Sequence, residues 1–217
     1  MHRTILVIAG TVVIALGIAG SAALGPARAQ ESTFDLPGAA TPAPPRPEIE
    51  GVAFVDVWSN RHTEGPVQYD QDPPAGGPHN PTWQSCGFYD VPVPTERAVH
   101  SQEHGAVWIT YRADIADADL KAIRQLAKRN PYVLASPYEG LAHPLVASAW
   151  GAQLALDSAA DPRLQAFVEF YANSPDGPEF GAPCADSGTD SVDPIAFPAG
   201  ATPLAQPAAT PGATPAP

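Results

Sequence analysis

Basic side chains are scarce in this sequence. The 217 residues carry a formal net charge of −12. A chain so acidic repels phosphate backbones, which argues against a nucleic-acid partner and suits a soluble protein or one that attracts cations. No glycine-rich phosphate-binding loop is present, and no Ser–His–Asp arrangement marks a nucleophile. Ser101 adjoins His100, but neighbours in sequence are poorly placed for activation. Cysteine is also rare: Cys86 and Cys184 are the only two. Neither lies directly after the N-terminal apolar run, which argues against a lipoprotein anchor.

Proline, by contrast, is abundant, with 27 residues crowded largely towards the ends. Residues 1–29 read as a targeting segment. His2-Arg3 is a short basic start, 4–25 is uncharged and mostly apolar, and Ala27-Arg28-Ala29 fits a small-x-small cleavage site. The run is near the roughly 20 residues that span a bilayer, so the segment is either a cleaved signal peptide or an uncleaved anchor. Both place the remainder outside the cytoplasm, secreted or held at the cell surface. A Pro-rich linker follows over 30–50, then one globular domain over 51–187. A Pro/Ala/Thr-rich tail occupies 188–217 and is expected to be without order, at least from Pro194 onward.

Within the domain, 52–58 alternates like a strand and 62–69 is a second extended piece. Residues 70–94 hold Pro73, Pro74, Pro78, Pro81, Pro92 and Pro94 with Gly76, Gly77 and Gly87, a spacing that permits no regular helix. So long a loop inside a domain calls for a reason, and that reason is often function. The plain alternative is a loop pinned by Trp83, Phe88 and Tyr89. Residues 95–104 are proline-free and predict a short helix that Gly105 ends. The β-branched and aromatic run 106–112 predicts a buried strand. Leu120, Ile123 and Ala127 mark one face of a helix over 116–130, with aspartates at its start and Lys128 and Arg129 at its end. Strands are expected at 132–136 and 145–150, the latter continuing into 153–156. Asp161-Pro162 opens a last helix whose inner face is Leu164, Phe167, Val168 and Tyr171. The order implies a parallel strand–helix–strand unit, with the next strand pairing antiparallel through a 137–140 turn. The fold class is α+β, a two-layer sandwich with a small mixed sheet, two main amphipathic helices and a long Pro/Gly-rich loop.

The chemistry gathers at His100-Ser-Gln-Glu103-His104. On a helix, residues four apart share a face, about 5–6 Å between Cβ atoms, so both imidazoles reach one ion. On a strand they would lie roughly 13 Å apart. His79, in a stiff loop with few structural reasons for a histidine, makes a third ligand. With Glu103 these residues suit Zn²⁺ or Cu²⁺. The metal ligands expected are therefore His79, His100 and His104, with Glu103 in or just behind the first shell. His62 is a weaker candidate and His143 weaker still. The same residues spell H-x-x-E-H, the inverted zinc-peptidase pattern, with Glu103 as general base. That pattern wants a long helix and a distant acidic ligand, and here Gly105 and a strand follow at once. The third alternative is a structural or interaction domain whose histidines only brace the loop. Cys86 and Cys184 outside the cytoplasm predict one disulfide, with a thiolate ligand at Cys86 as the alternative.

Three separated motifs also carry a resemblance. The run from His100 to Tyr111, the upstream Pro73-Pro74-Ala-Gly-Gly-Pro-His79-Asn-Pro-Thr-Trp83-Gln-Ser-Cys86-Gly87 and the downstream Val146-Ala-Ser-Ala-Trp150-Gly151 occur in the order found in the bacterial domain-of-unknown-function family 3105. The chain resembles that family over roughly 52–184. The family usually has Ser where Gly76 stands and Leu where Gln102 stands. The resemblance implies a domain over that span and names no activity.

Overall fold

Val107–Tyr111 is buried at every position. A strand with no exposed face needs neighbours on both edges and cover on both sides, and the rest of the fold supplies them. The computed structural model describes residues 47–206. In chain order the strands are β1 (Val52–Phe54), β2 (Val67–Gln68), β3 (Gly87–Phe88), β4 (Val107–Tyr111), β5 (Val133–Pro137), β6 (Leu145–Ala149), β7 (Ala152–Leu156) and β8 (Leu204–Ala205). The helices are α1 (Thr95–Glu103), α2 (Asp117–Arg129) and α3 (Pro162–Tyr171). Six strands form one mixed sheet in the order β1-β7-β6-β4-β5-β3. β3, β5 and β4 run parallel, whereas β6, β7 and β1 join antiparallel. The fold is α+β, as the order of elements predicts.

Alternation along the strands sorts the core into two. Val107, Ile109 and Tyr111 share one face with Val133, Ala135, Leu145, Ala147 and Leu154, under Ile123 and Leu126 of α2 and Leu164 and Phe167 of α3. Trp108 and Leu134 face the other side and pack with Ala98 of α1, Val93 and the two cysteines. The side chain of Asp161 accepts from the Arg163 N–H with Pro162 behind it, the N-terminal cap expected for α3.

Two strand expectations are corrected. β6 is antiparallel, but it pairs with β4 and not with β5. β3 holds the far edge of β5, and β4, buried on both sides, takes β5 on one edge and β6 on the other. Residues 153–156 do not continue β6. They turn back as β7, because Gly151 at φ +74 closes a tight turn that brings Ala149 opposite Ala152. Regular structure also reaches past Pro194. Leu204, the branched aliphatic of its Pro/Ala/Thr-rich surroundings, is half-buried and pairs with Val67 in parallel β2–β8. The targeting segment, most of the linker and the end of the tail lie outside the described residues. Among those described, no helix is long and apolar enough to cross a membrane.

Candidate metal centre

The last turn of α1 buries every side chain from Ala98 to Glu103, although most are polar. Buried polar groups demand partners, and the long loop provides them. Ser101 Oγ donates to the Gln84 carbonyl at 2.6 Å, and Gln102 Nε2 donates to the Pro74 carbonyl at 3.1 Å. The helix ends at a paired cap: the Gly105 N–H bonds to Gln102 O and the Ala106 N–H to Ser101 O. Gly105 takes φ +95 there, as the sequence predicts for a helix stop. The chain turns at once into β4, leaving His100, Glu103 and His104 at the mouth of the sheet.

The loop brings His79 to the same place. Its backbone forms a bridge with the 61–63 segment: the Thr63 N–H donates to His79 O at 2.7 Å and the His79 N–H to Arg61 O at 3.1 Å. That bridge sets His62 beside His79. Gly76 just upstream sits at φ +111, and a Cβ on it would come within 2.8 Å of Val57 Cγ2. A serine at this position therefore does not fit the present packing.

Four groups converge. One ligand atom each from His62, His79, His100 and Glu103 lies within 4.8 Å of the others. The rings of His62, His79 and His100 stand 4.7–4.9 Å apart, centre to centre. Nδ1 of His79 lies 2.8 Å from the Gly77 carbonyl and Nδ1 of His100 lies 2.7 Å from the Asn80 carbonyl. A carbonyl only accepts, so in the neutral rings Nδ1 carries the proton and Nε2 the lone pair. Nε2 of His79 is 2.8 Å from Glu103 Oε2, yet the oxygen lies off the direction of an N–H, and neither atom has an aligned hydrogen bond. An imidazole nitrogen and a carboxylate oxygen buried at that distance without an aligned hydrogen bond form an arrangement that a shared cation relieves. His62 Nε2 approaches the same oxygen at 3.5 Å with 46 % of its side chain exposed, against 2 % for Glu103.

Burial raises the Glu103 pKa, but the neighbouring His79 ring, Asn60 and His100 outweigh it and hold the carboxyl below its ordinary value. Burial pushes His100 down to about 4, its bond to Asn80 opposing and the rings of His79, His104 and His62 adding to the shift. Both groups therefore stay in their metal-ligating forms, carboxylate and neutral imidazole, near neutral pH.

Of the ligands expected from sequence, His79 and His100 meet with Glu103. His104 turns to a neighbouring group with His100 and Glu179. It caps the helix instead of extending it, and its ring stands perpendicular to His100 at 4.8 Å between centres. His62, the weaker candidate, joins the first group. His143 is exposed near Asp157 and belongs to neither. Glu179 gave no signal in the sequence, being brought in by chain far downstream. Cys86 and Cys184 form a disulfide and so are not thiolate ligands. Being buried, it suits an oxidising compartment. A cleft of about 700 Å³ opens elsewhere, past the carboxyl ends of the three parallel strands, lined by Asp90, Arg112 and Tyr138 among others and by none of the cluster residues.

No curated protein and no solved structure matches the chain. A family model, described as a protein of unknown function (DUF3105), matches residues 61–186, a span that holds all four converging groups and both cysteines. The chain belongs to that family.

Proposed function

We propose that this is an exported domain that binds one transition-metal ion, Zn²⁺ or Cu²⁺, through His62, His79, His100 and Glu103. The observation that carries this reading is the unaligned 2.8 Å approach of two buried atoms, His79 Nε2 and Glu103 Oε2, inside a four-ligand cluster. Imidazole and carboxylate together suit zinc or copper, and the carbonyls at Nδ1 of His79 and His100 orient the rings as outer-shell partners do. Donors tetrahedrally placed at 2.0–2.1 Å from zinc sit about 3.3 Å apart. To close on an ion the His79–Glu103 pair opens from 2.8 Å while the wider-spaced members draw in, half-exposed His62 having the most room to do so. The acidic chain favours cation capture.

Binding is favoured over hydrolysis with Glu103 as base. The Glu103 oxygen is aimed at His79, where it serves as a ligand, and a ligating carboxylate is not free to take a proton from water. The test is metal analysis and Zn²⁺ and Cu²⁺ titration of untagged protein with its disulfide intact. Binding that His79→Ala and His100→Ala each weaken, and His143→Ala does not, is the expected result. Protein that takes up neither metal would leave the histidines as braces for the loop.

A further inference from the structure

His104 and Glu179 are not used by the four-ligand cluster, and they too set an imidazole nitrogen against a carboxylate oxygen. His104 is almost fully buried, and its Nδ1 lies 2.9 Å from the Pro183 carbonyl. The neutral ring therefore carries its lone pair on Nε2. That atom stands 3.1 Å from Glu179 Oε2, near enough for both to ligate one ion. The His104 ring and the Glu179 backbone are held in place. The Glu179 N–H bonds to Glu103 O at 3.1 Å, and Gly177 lies so close that a Cβ would come within 2.8 Å of the same oxygen. Pro183 adjoins Cys184, which the disulfide ties to Cys86. Ligand atoms of His100, His104 and Glu179 lie within 4.8 Å of one another.

We infer that His104 and Glu179 form a second, outer metal position, and that the inner and outer positions share His100. The sharing follows from hydrogen bonding. His100 Nδ1 is committed to Asn80 O, so the ring has one free nitrogen, and one lone pair serves one ion. An ion in the inner position leaves the outer one with His104, Glu179 and water. An ion in the outer position takes a ligand from the inner. The two positions are thus anticooperative, and His100 is the group through which an ion passes between them. Glu179, at 48 % exposure, opens the outer position to solvent, as His62 at 46 % opens the inner one.

This inference rests on the metal-binding reading, and calorimetric titration with Zn²⁺ of untagged, disulfide-intact protein separates the two. Wild type should show a tight step and a weaker second step. Glu179→Gln, a half-exposed change safe for folding, should remove the second step and spare the first. His62→Ala, also half-exposed, should weaken the first step only. In His79→Ala one step should remain, roughly tenfold or more tighter than the second step of wild type, because His100 is released to the outer position. A single wild-type step that Glu179→Gln does not alter would overturn the outer position and leave a bare His104–Glu179 ion pair. Equal outer affinity in wild type and His79→Ala would overturn the sharing. Wild type that binds nothing would overturn the metal-binding reading and this one with it.

Discussion

His100 carries more of the chemistry than any neighbour, since it belongs to both ligand groups. Burial is the main cause of its lowered pKa of about 4. An unfolded histidine titrates near 6.5. Between those values the unfolded chain binds more protons than the folded one, so stability is full above about 6.5 and falls as pH drops towards 4. Glu103, also depressed, adds a loss at lower pH, below the ordinary carboxylate value. Metal-free protein should therefore melt at progressively lower temperature between about pH 6.5 and 4. His100→Gln, which does not titrate, should flatten that slope. A wild-type slope unchanged by the substitution would show that other groups carry it. At this scale the sequence was partly legible. The four-residue spacing on a short helix exposed His100 and Glu103, and a histidine in a stiff loop pointed to His79. His62 is harder to see from sequence, because its place depends on a backbone bridge to His79. Glu179 was invisible, since nothing local ties an exposed glutamate after α3 to a helix that ends at Glu103.

Elements deliver these side chains, and the joint between α1 and β4 is the demanding one. Gly105 is there both for its left-handed φ of +95 and for space, because a Cβ would lie 3.0 Å from Asn173 Cα. Asn173 also donates its N–H to Gly105 O at 2.8 Å, so the chain after α3 is locked against the turn. Gly140 offers a control, with φ +79 and nothing within 4 Å of its added Cβ. A non-glycine residue in the left-handed region costs of order 1–3 kcal/mol. Gly140→Ala should show that cost alone, whereas Gly105→Ala should lose more stability and weaken metal binding through displaced His100 and Glu103. Denaturant melts of the two variants make the comparison, and equal losses would mean that Asn173 moves aside freely. Glycine as a helix stop and the 3.6-residue periodicities of α2 and α3 are local signals, so these elements could be read from the chain. Strand pairing is not local. Trp150-Gly151 looks from sequence like a pause within one strand, and it is the turn of a hairpin. The sequence offers β6 for the edge of β5, because nothing in Gly87–Phe88 declares it a strand until it meets Leu134 and Ala135.

Over the whole molecule, one covalent link organises what the secondary structure leaves loose. Cys86 lies at the end of the long loop and Cys184 past the last helix, 98 residues apart in sequence. The same junction is stitched by the backbone: the Cys86 N–H bonds to Cys184 O, the Ser85 N–H to Thr189 O and the Thr189 N–H to Trp83 O. Trp83 is held over His100 and His104, and Gly188 gives it room, since a Cβ there would come within 2.6 Å of the indole. Chain entropy alone makes closing a loop of this length worth up to about 4–5 kcal/mol. Replacing both cysteines, Cys86→Ser with Cys184→Ser, removes the link without stranding a thiol, and should lower the unfolding free energy by a few kcal/mol in denaturant titration. The loss should not be uniform across the site. The disulfide sits next to Pro183, whose carbonyl orients His104, but reaches the inner ligands only through the 79–86 segment, which α1 holds independently through Asn80, Gln84 and Ser101. The outer position should therefore lose metal affinity more than the inner one in the doubly substituted protein at a temperature where it stays folded. Equal weakening of both would mean that the crosslink sustains the whole loop, and an unchanged unfolding midpoint would mean that the hydrogen-bonded strap suffices without it.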